Sequence, residues 1–323
     1  MYRFIILLVM SIMLAGCANA VSQQAAAPQS YQVQDDYGNT VVLKEKPKRI
    51  MTTHIYLDNI VLGLVEPERM LSVSKNMDSE SKSFNNAGVK AIANKITMPG
   101  LEAVLALKPD LFIVHDLLGE DKIKSYRDMG IPVYVVKIPT DIKAVQQEIT
   151  KLAQLVGEEQ RGAVLLAKMD KRLARIEANI PKAVQFSKSV VLVAANHAFY
   201  GGKGCMYDDV CKYAKVRNGI ADLGVDNGQT VSKEVMIEIN PDYFFLTKSW
   251  NKDKASDDKL LQEFLADKSL QELQAVRQKH IALIDEKYIF AGHQNCVWSV
   301  QQLAHAVYGD VVSLEQEEFL KGY

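Results

Sequence analysis

The sequence has no excess of charge of either sign: 38 Lys and Arg stand against 39 Asp and Glu. No basic stripe offers itself to nucleic acid, and no surplus of charge argues for disorder. Beyond residue 20 no apolar run is long enough to cross a bilayer as a helix. His-Glu-x-x-His, His-x-His and the common nucleophile motifs do not occur, which removes the usual signatures of a metallohydrolase or acyl-transfer enzyme. Cysteine is scarce. Apart from Cys17 there are Cys205, Cys211 and Cys296, so an oxidising compartment would allow one disulfide and one free thiol. Cys205 and Cys211 diverge if both lie on one helix; Cys211 with Cys296, joining two helices, is the alternative.

What is present begins with an N-terminal export signal. Met1-Tyr2-Arg3 carries one positive charge, and residues 4–16 form an almost unbroken apolar run. That run has the length of a signal-peptide core and is too short for a stable span. It ends in Leu14-Ala15-Gly16-Cys17, which resembles the lipobox of bacterial lipoproteins. The resemblance implies removal of residues 1–16 and acylation of Cys17, with several acyl chains giving stable anchoring. Residues 17–30, rich in Ala, Gln and Ser, read as a flexible tether. Hydrophobic residues make up 48% of the chain, and the roughly 290 residues after the tether exceed what one core usually serves, so two domains are expected.

Residues 31–43 alternate around Asp36-Tyr37-Gly38-Asn39, a hairpin signal. Strand-like and helical stretches then follow one another to residue 136: strands near 49–53, 70–74, 111–114 and 131–136, and helices near 56–65, 101–107 and 122–129. Alternation of this kind predicts a parallel α/β sheet. Thr140 is placed to cap a helix ending at Gly157, and a second helix fills 158–180 before Pro181. Its apolar positions Leu166, Met169, Leu173, Ile176 and Ile180 recur at helical spacing. At roughly 33 Å it is long enough to connect two lobes. After Pro181 strands near 190–195, 243–247 and 281–284 alternate with helices up to 297–308. The expected domains are therefore an N-terminal lobe over 31–157, a connecting helix over 158–180 and a C-terminal lobe over 181–323.

The two halves share a motif. Leu101-Glu102-Ala103-Val104-Leu105-Ala106-Leu107-Lys108-Pro109-Asp110-Leu111 aligns with Lys233-Glu234-Val235-Met236-Ile237-Glu238-Ile239-Asn240-Pro241-Asp242-Tyr243, with Glu eight residues before Asp in both. With the lipobox, the hairpin before Pro47-Lys48-Arg49-Ile50 and the long middle helix, this motif resembles the class III substrate-binding proteins of ABC importers for vitamin B12, ferric siderophores and haem. The resemblance covers residues 31–315. It implies two Rossmann-like lobes with parallel sheets, joined by one long helix, with the ligand between them. It also implies a non-enzymatic, exported monomer that works with a permease dimer and its cytoplasmic ATPase, facing the periplasm or the outside of the cytoplasmic membrane. Glu102 and Glu234 take the positions that pair with permease arginines in that family.

Ligands of open α/β sheets bind beyond the carboxyl ends of strands. In the first lobe that rule selects His54 and Tyr56, Lys75 and Asn76, His115 and Asp116, and Ile138 and Pro139, with Met98-Pro99-Gly100 beside them. In the second it selects Asn196, His197, Phe199 and Tyr200, then Lys248, Ser249 and Trp250, then Gly292 and His293. Of six histidines, His54, His115, His197 and His293 fall on these loops. Neutral imidazole is a common ligand of Fe, Ni, Cu and Zn, so these four are candidate ligands of a metal centre. Tyr56, Phe199, Tyr200 and Trp250 would supply aromatic faces. No arginine occurs in the selected loops, which disfavours a strongly anionic complex. The expected cargo is a metal complex with open coordination positions: haem or a partly chelated ferric siderophore, alternatively cobalamin or a nickel or cobalt chelate. A free ion is less expected, because only Asp116 is placed to add a carboxylate.

Overall fold

The computed structural model describes residues 30–194, 196–229, 231–248, 254–289 and 291–323. The signal segment, Cys17, Ser249 and Trp250 lie outside the described residues. The first lobe runs β1 (Tyr31–Gln34), β2 (Thr40–Leu43), β3 (Ile50–Thr52), α1 (Ile55–Leu64), β4 (Met70–Val73), β5 (Asn94–Lys95), α2 (Leu101–Leu107), β6 (Leu111–His115), α3 (Glu120–Asp128), β7 (Val133–Val136) and α4 (Ile142–Val156). Helix α5 (Glu159–Asn179) leads to the second lobe. That lobe holds β8 (Ser189–Val193), β9 (Phe199–Tyr200), α6 (Met206–Tyr213), β10 (Arg217–Asn218), α7 (Gly219–Asp222), α8 (Lys233–Ile239) and β11 (Tyr243–Thr247). It closes with α9 (Lys254–Ala266), α10 (Gln274–Arg277), β12 (Ile281–Ile284) and α11 (Cys296–Tyr308).

Each lobe is built on a five-stranded sheet. The first has the order β5-β4-β3-β6-β7 with every pairing parallel. The second has β10-β8-β11-β12 in parallel, and β9 folds back antiparallel on β8. Strands β6 and β8 are buried along their whole length, as expected for strands with helices on both faces. The two-residue β5, β9 and β10 have no sequence signal, being too short to show a period.

The repeated motif has a structural purpose in both lobes. Helices α2 and α8 end on left-handed residues, Lys108 (φ 49°) and Asn240 (φ 41°), and Pro109 and Pro241 follow. The next aspartate then clamps the start of its lobe's first parallel strand. Asp110 accepts the Lys48 and Arg49 N–H groups at 2.7 and 2.9 Å, and Asp242 accepts the Ser189 N–H at 2.9 Å. Losing hydrogen bonds to a charged acceptor should cost about 1–3 kcal/mol. Asp242→Ala is therefore expected to lower the urea midpoint clearly; an unchanged midpoint would show that the clamp is dispensable.

Two local expectations need correction. Asp141, not Thr140, caps α4, because its carboxylate accepts the Ala144 N–H at 2.7 Å. The buried stripe of α5 runs through Leu165, Met169, Leu173 and Ile176, with Leu166 only half-buried. Gly162 admits the close approach of α4, since a Cβ there would sit 2.5 Å from Ala153 Cβ. Cys205, Cys211 and Cys296 are free thiols, so neither pairing considered from sequence forms. Cys211 and Cys296 are buried in the main core, and burial pushes the Cys296 thiol up to about 12.

Candidate ligand cleft between the lobes

The chain runs outward in both directions from the β3/β6 pair in the first lobe and from the β8/β11 pair in the second. These are topological switch points, where strand ends diverge and leave a crevice. His54 lies just past the end of β3 and His115 ends β6, so the first lobe's switch point is flanked by imidazoles. Asp58, on the first turn of α1, accepts a hydrogen bond from the Thr52 hydroxyl and one from the Ser74 N–H at 2.9 Å. It thereby ties the ends of β3 and β4 under the loop that carries His54.

A cavity of about 410 Å³ opens between the lobes, inside the range of small-molecule sites. His54, Tyr56 and Pro139 line it from the first lobe, and Tyr200, Cys205 and His293 from the second. The backbone at Gly292 passes close to Tyr56: a Cβ there would lie 3.9 Å from Tyr56 Cβ. Cys205 donates its thiol hydrogen to Gly202 O at 3.2 Å, and burial raises its pKa, which keeps it a protonated wall group.

His54 is the N-cap of α1, its Nδ1 accepting the Tyr56 N–H at 3.4 Å. His293 Nδ1 likewise accepts the Asn295 N–H at 3.3 Å. Both bonds are long, and both assign the ring hydrogen to Nε2. Coordination through Nε2 would move that hydrogen to Nδ1 and give up only a weak cap. Burial, and then the neighbouring His115, hold the His54 pKa down to about 4; burial, and then His54, hold His293 at about 3. Both rings are therefore neutral at ordinary pH, the form that ligates a metal.

The other candidates divide. His115 is 6% exposed and packs edge-on to His54 at 5.2 Å between centroids, behind the cavity wall. Its Nδ1 has no hydrogen-bond partner among the described residues. His197 does not face the cleft. It occupies the left-handed turn (φ 62°) that folds β9 back on β8, and its ring packs on Phe264, 6.1 Å away. Phe199 is also displaced from its expected role. Opposite Val193, it points into the core with Phe244, while its neighbour Tyr200, opposite Leu192, faces the cavity. The two-residue period of a strand accounts for the difference. Trp250 lies outside the described residues. Among the described residues no three His, Cys, Asp or Glu groups converge as an ion site.

The strand-end rule overlooks one whole wall of the cleft. Lys82 from the first lobe and Glu286 from the second meet at 3.6 Å, and the Lys287 N–H donates to Ser81 O at 2.9 Å. Lys287 Nζ lies 4.9 Å from the Phe84 ring centroid and 3.2 Å from Glu317. Met206 and Tyr207 were missed too, although a signal for them exists. The run Gly201-Gly202-Lys203-Gly204 marks a close backbone approach, and a Cβ at Gly202 would stand 2.5 Å from Val225 O. Away from the cleft, Glu102 and Glu234 are both exposed in the first turns of α2 and α8. The Ser232 hydroxyl lowers the Glu234 pKa.

Two parallel-sheet lobes joined by one helix, with a cavity at their strand ends, define a bilobal ligand-binding protein. The family profile described as periplasmic binding protein matches residues 52–288, and the chain belongs to that family. An uncharacterized ABC transporter substrate-binding lipoprotein of Bacillus subtilis, YvrC, is 23% identical over 94% of this chain and 96% of its own length. The ferric enterobactin-binding periplasmic protein FepB of Escherichia coli is 28% identical over 59% of this chain and 61% of that protein. Among solved structures, the periplasmic heme-binding protein RhuT of Roseiflexus superposes with TM-score 0.67 at 21% identity, over 82% of this chain and all but 1% of that one (99%). Helicobacter pylori CeuE in its nickel-histidine complex gives 0.69 at 16% identity, over 88% and 90%. These superpositions establish the shared fold.

Proposed function

We propose that this chain is the substrate-binding lipoprotein of an ABC importer and that its cleft captures a metal complex, a ferric siderophore or haem, for delivery to a permease dimer. The observation that carries this reading is the pair His54 and His293: two neutral imidazoles, one from each lobe, on one tyrosine-walled cavity. Such a pair can fill coordination positions that a chelator leaves open. The printed descriptions of relatives point the same way, naming ferric enterobactin, Fe(3+)-citrate and cobalamin. Neutral imidazole also suits cobalt and nickel, which supports cobalamin or a nickel or cobalt chelate as the second reading. Residues 31–157 and 181–323 act as the lobes, 158–180 as the connector, and Glu102 and Glu234 as the contacts to permease arginines. Equilibrium dialysis of the purified chain against a panel of ferric, nickel and cobalt chelates tests the reading. Saturable binding of at least one chelate is expected, and none across the panel would overturn it.

Residues 1–16 serve as the signal peptide and Cys17 as the lipid attachment point of a tether reaching residue 30. Cys17→Ala is then expected to move the chain from the membrane to the soluble fraction, since one residue carries all the acyl chains. Fractionation in which the variant stays with the membrane would remove the anchor.

A further inference from the structure

We propose that Glu286 and Glu317 set the charge of the cleft, so that it accepts metal complexes of zero or positive net charge and turns away anionic ones. The inference rests on the reading of the cleft as a metal-complex site and narrows it, since haem with its two propionates falls among the complexes turned away.

Two ammonium groups reach the cavity wall, Lys82 and Lys287, and no arginine lines it among the described residues. Each lysine is already matched. Lys82 stands 3.6 Å from Glu286, with the side chains 14% and 11% exposed, and Lys287 stands 3.2 Å from Glu317, with 17% and 23% exposed. At these separations each carboxylate offsets most of its lysine's field at the ligand. The Glu317 carboxylate is also held in place. Glu317 accepts the Tyr288 hydroxyl and the Gln302 amide at 2.9 Å, and Lys287 Nζ stands 4.9 and 4.8 Å from the Phe84 and Tyr288 ring centroids, two rings that meet edge to face. Swinging Glu317 aside to free Lys287 would break these hydrogen bonds, and moving either carboxylate would leave a largely buried charge unpaired. His54 and His293 are neutral and add no positive charge. An anionic complex entering this space gives up its hydration and finds neither a free ammonium nor a guanidinium fork in return. A neutral or cationic complex avoids that loss, and the tyrosine faces of the wall attract a cation.

The test uses two ferric probes of equal denticity, each leaving two coordination positions open. Iron(III) held by a tetradentate bis-hydroxamate carries a single positive charge; held by a tetradentate bis-catecholate it carries a single negative charge. Affinities are measured by fluorescence titration for the parent chain and for Glu286→Gln, Glu317→Gln and the double variant, all checked for parental thermal stability. The amide keeps the size and an acceptor oxygen of each carboxylate while removing its charge. The parent should bind the bis-hydroxamate complex about 10-fold or more tighter, and the double variant should reverse most of that preference by gaining affinity for the bis-catecholate complex. A parent that prefers the anionic probe, or a preference that survives in the double variant, overturns the inference and leaves the metal-complex reading standing. A folded parent that binds neither probe, nor any chelate of the dialysis panel, removes that reading itself.

Discussion

Replacing both His54 and His293 by alanine is expected to weaken binding of the metal complex by about 100-fold or more, because the proposed ligation would lose two coordination bonds and not two peripheral hydrogen bonds. His197→Ala, by contrast, should change affinity only a few-fold, since its ring packs on Phe264 outside the cavity. His115→Ala should fall between, as it supports His54 from behind. The pH profile separates ligation from packing. An exposed imidazole would stop coordinating below about pH 6.5, but His54 keeps its neutral form to about pH 4. Affinity should therefore persist through pH 5 and fall only near 4. The same lowered values weaken the fold in acid. The unfolded chain takes up protons at these histidines near 6.5 while the folded chain does not, so their contribution to stability is lost as pH falls from about 6.5 toward 4. Chemical denaturation at pH 7 and pH 5 should show the parent losing more stability than His293→Gln over this interval. Equal losses would place the acid sensitivity elsewhere.

Glu102→Ala combined with Glu234→Ala should leave ligand affinity unchanged and reduce uptake to near background. Both carboxylates are exposed on equivalent helices of the two lobes and neither lines the cavity. Paired charges of one sign on each lobe suit orientation and encounter with a basic permease surface, so the difference between parent and variant should be largest at low ionic strength and shrink as salt screens the parent's charges. Transport assays in cells expressing equal amounts of parent and double variant measure this directly. Uptake at the parental rate would leave the two glutamates with only their place near the positive end of a helix dipole.

Much of this architecture was legible in the sequence because it rests on local signals. The two Pro-Asp breaks mark helix ends and strand starts, and both aspartates proved to clamp β3 and β8. His54 and His293 were reachable because a parallel sheet delivers its loops to one edge. His197 and Phe199 were misplaced because β9 is only two residues long. Nothing in so short a segment tells which of Phe199 and Tyr200 faces the core. Lys82 and Glu286 were out of reach for another reason: they meet only when two lobes close on each other, and each looks like an ordinary surface charge in its own neighbourhood. The same holds for Glu317, which comes to Lys287 along a C-terminal stretch without regular structure.

The cleft between the lobes is proposed to hold a metal complex through His54 and His293. Native mass spectrometry of the chain purified from its host, with metal analysis of the same sample, tests it most directly. One metal-containing complex per chain is expected, lost from the His54→Ala, His293→Ala double variant prepared in the same way. A metal-free ligand in the cleft, or equal metal occupancy in the double variant, would contradict it.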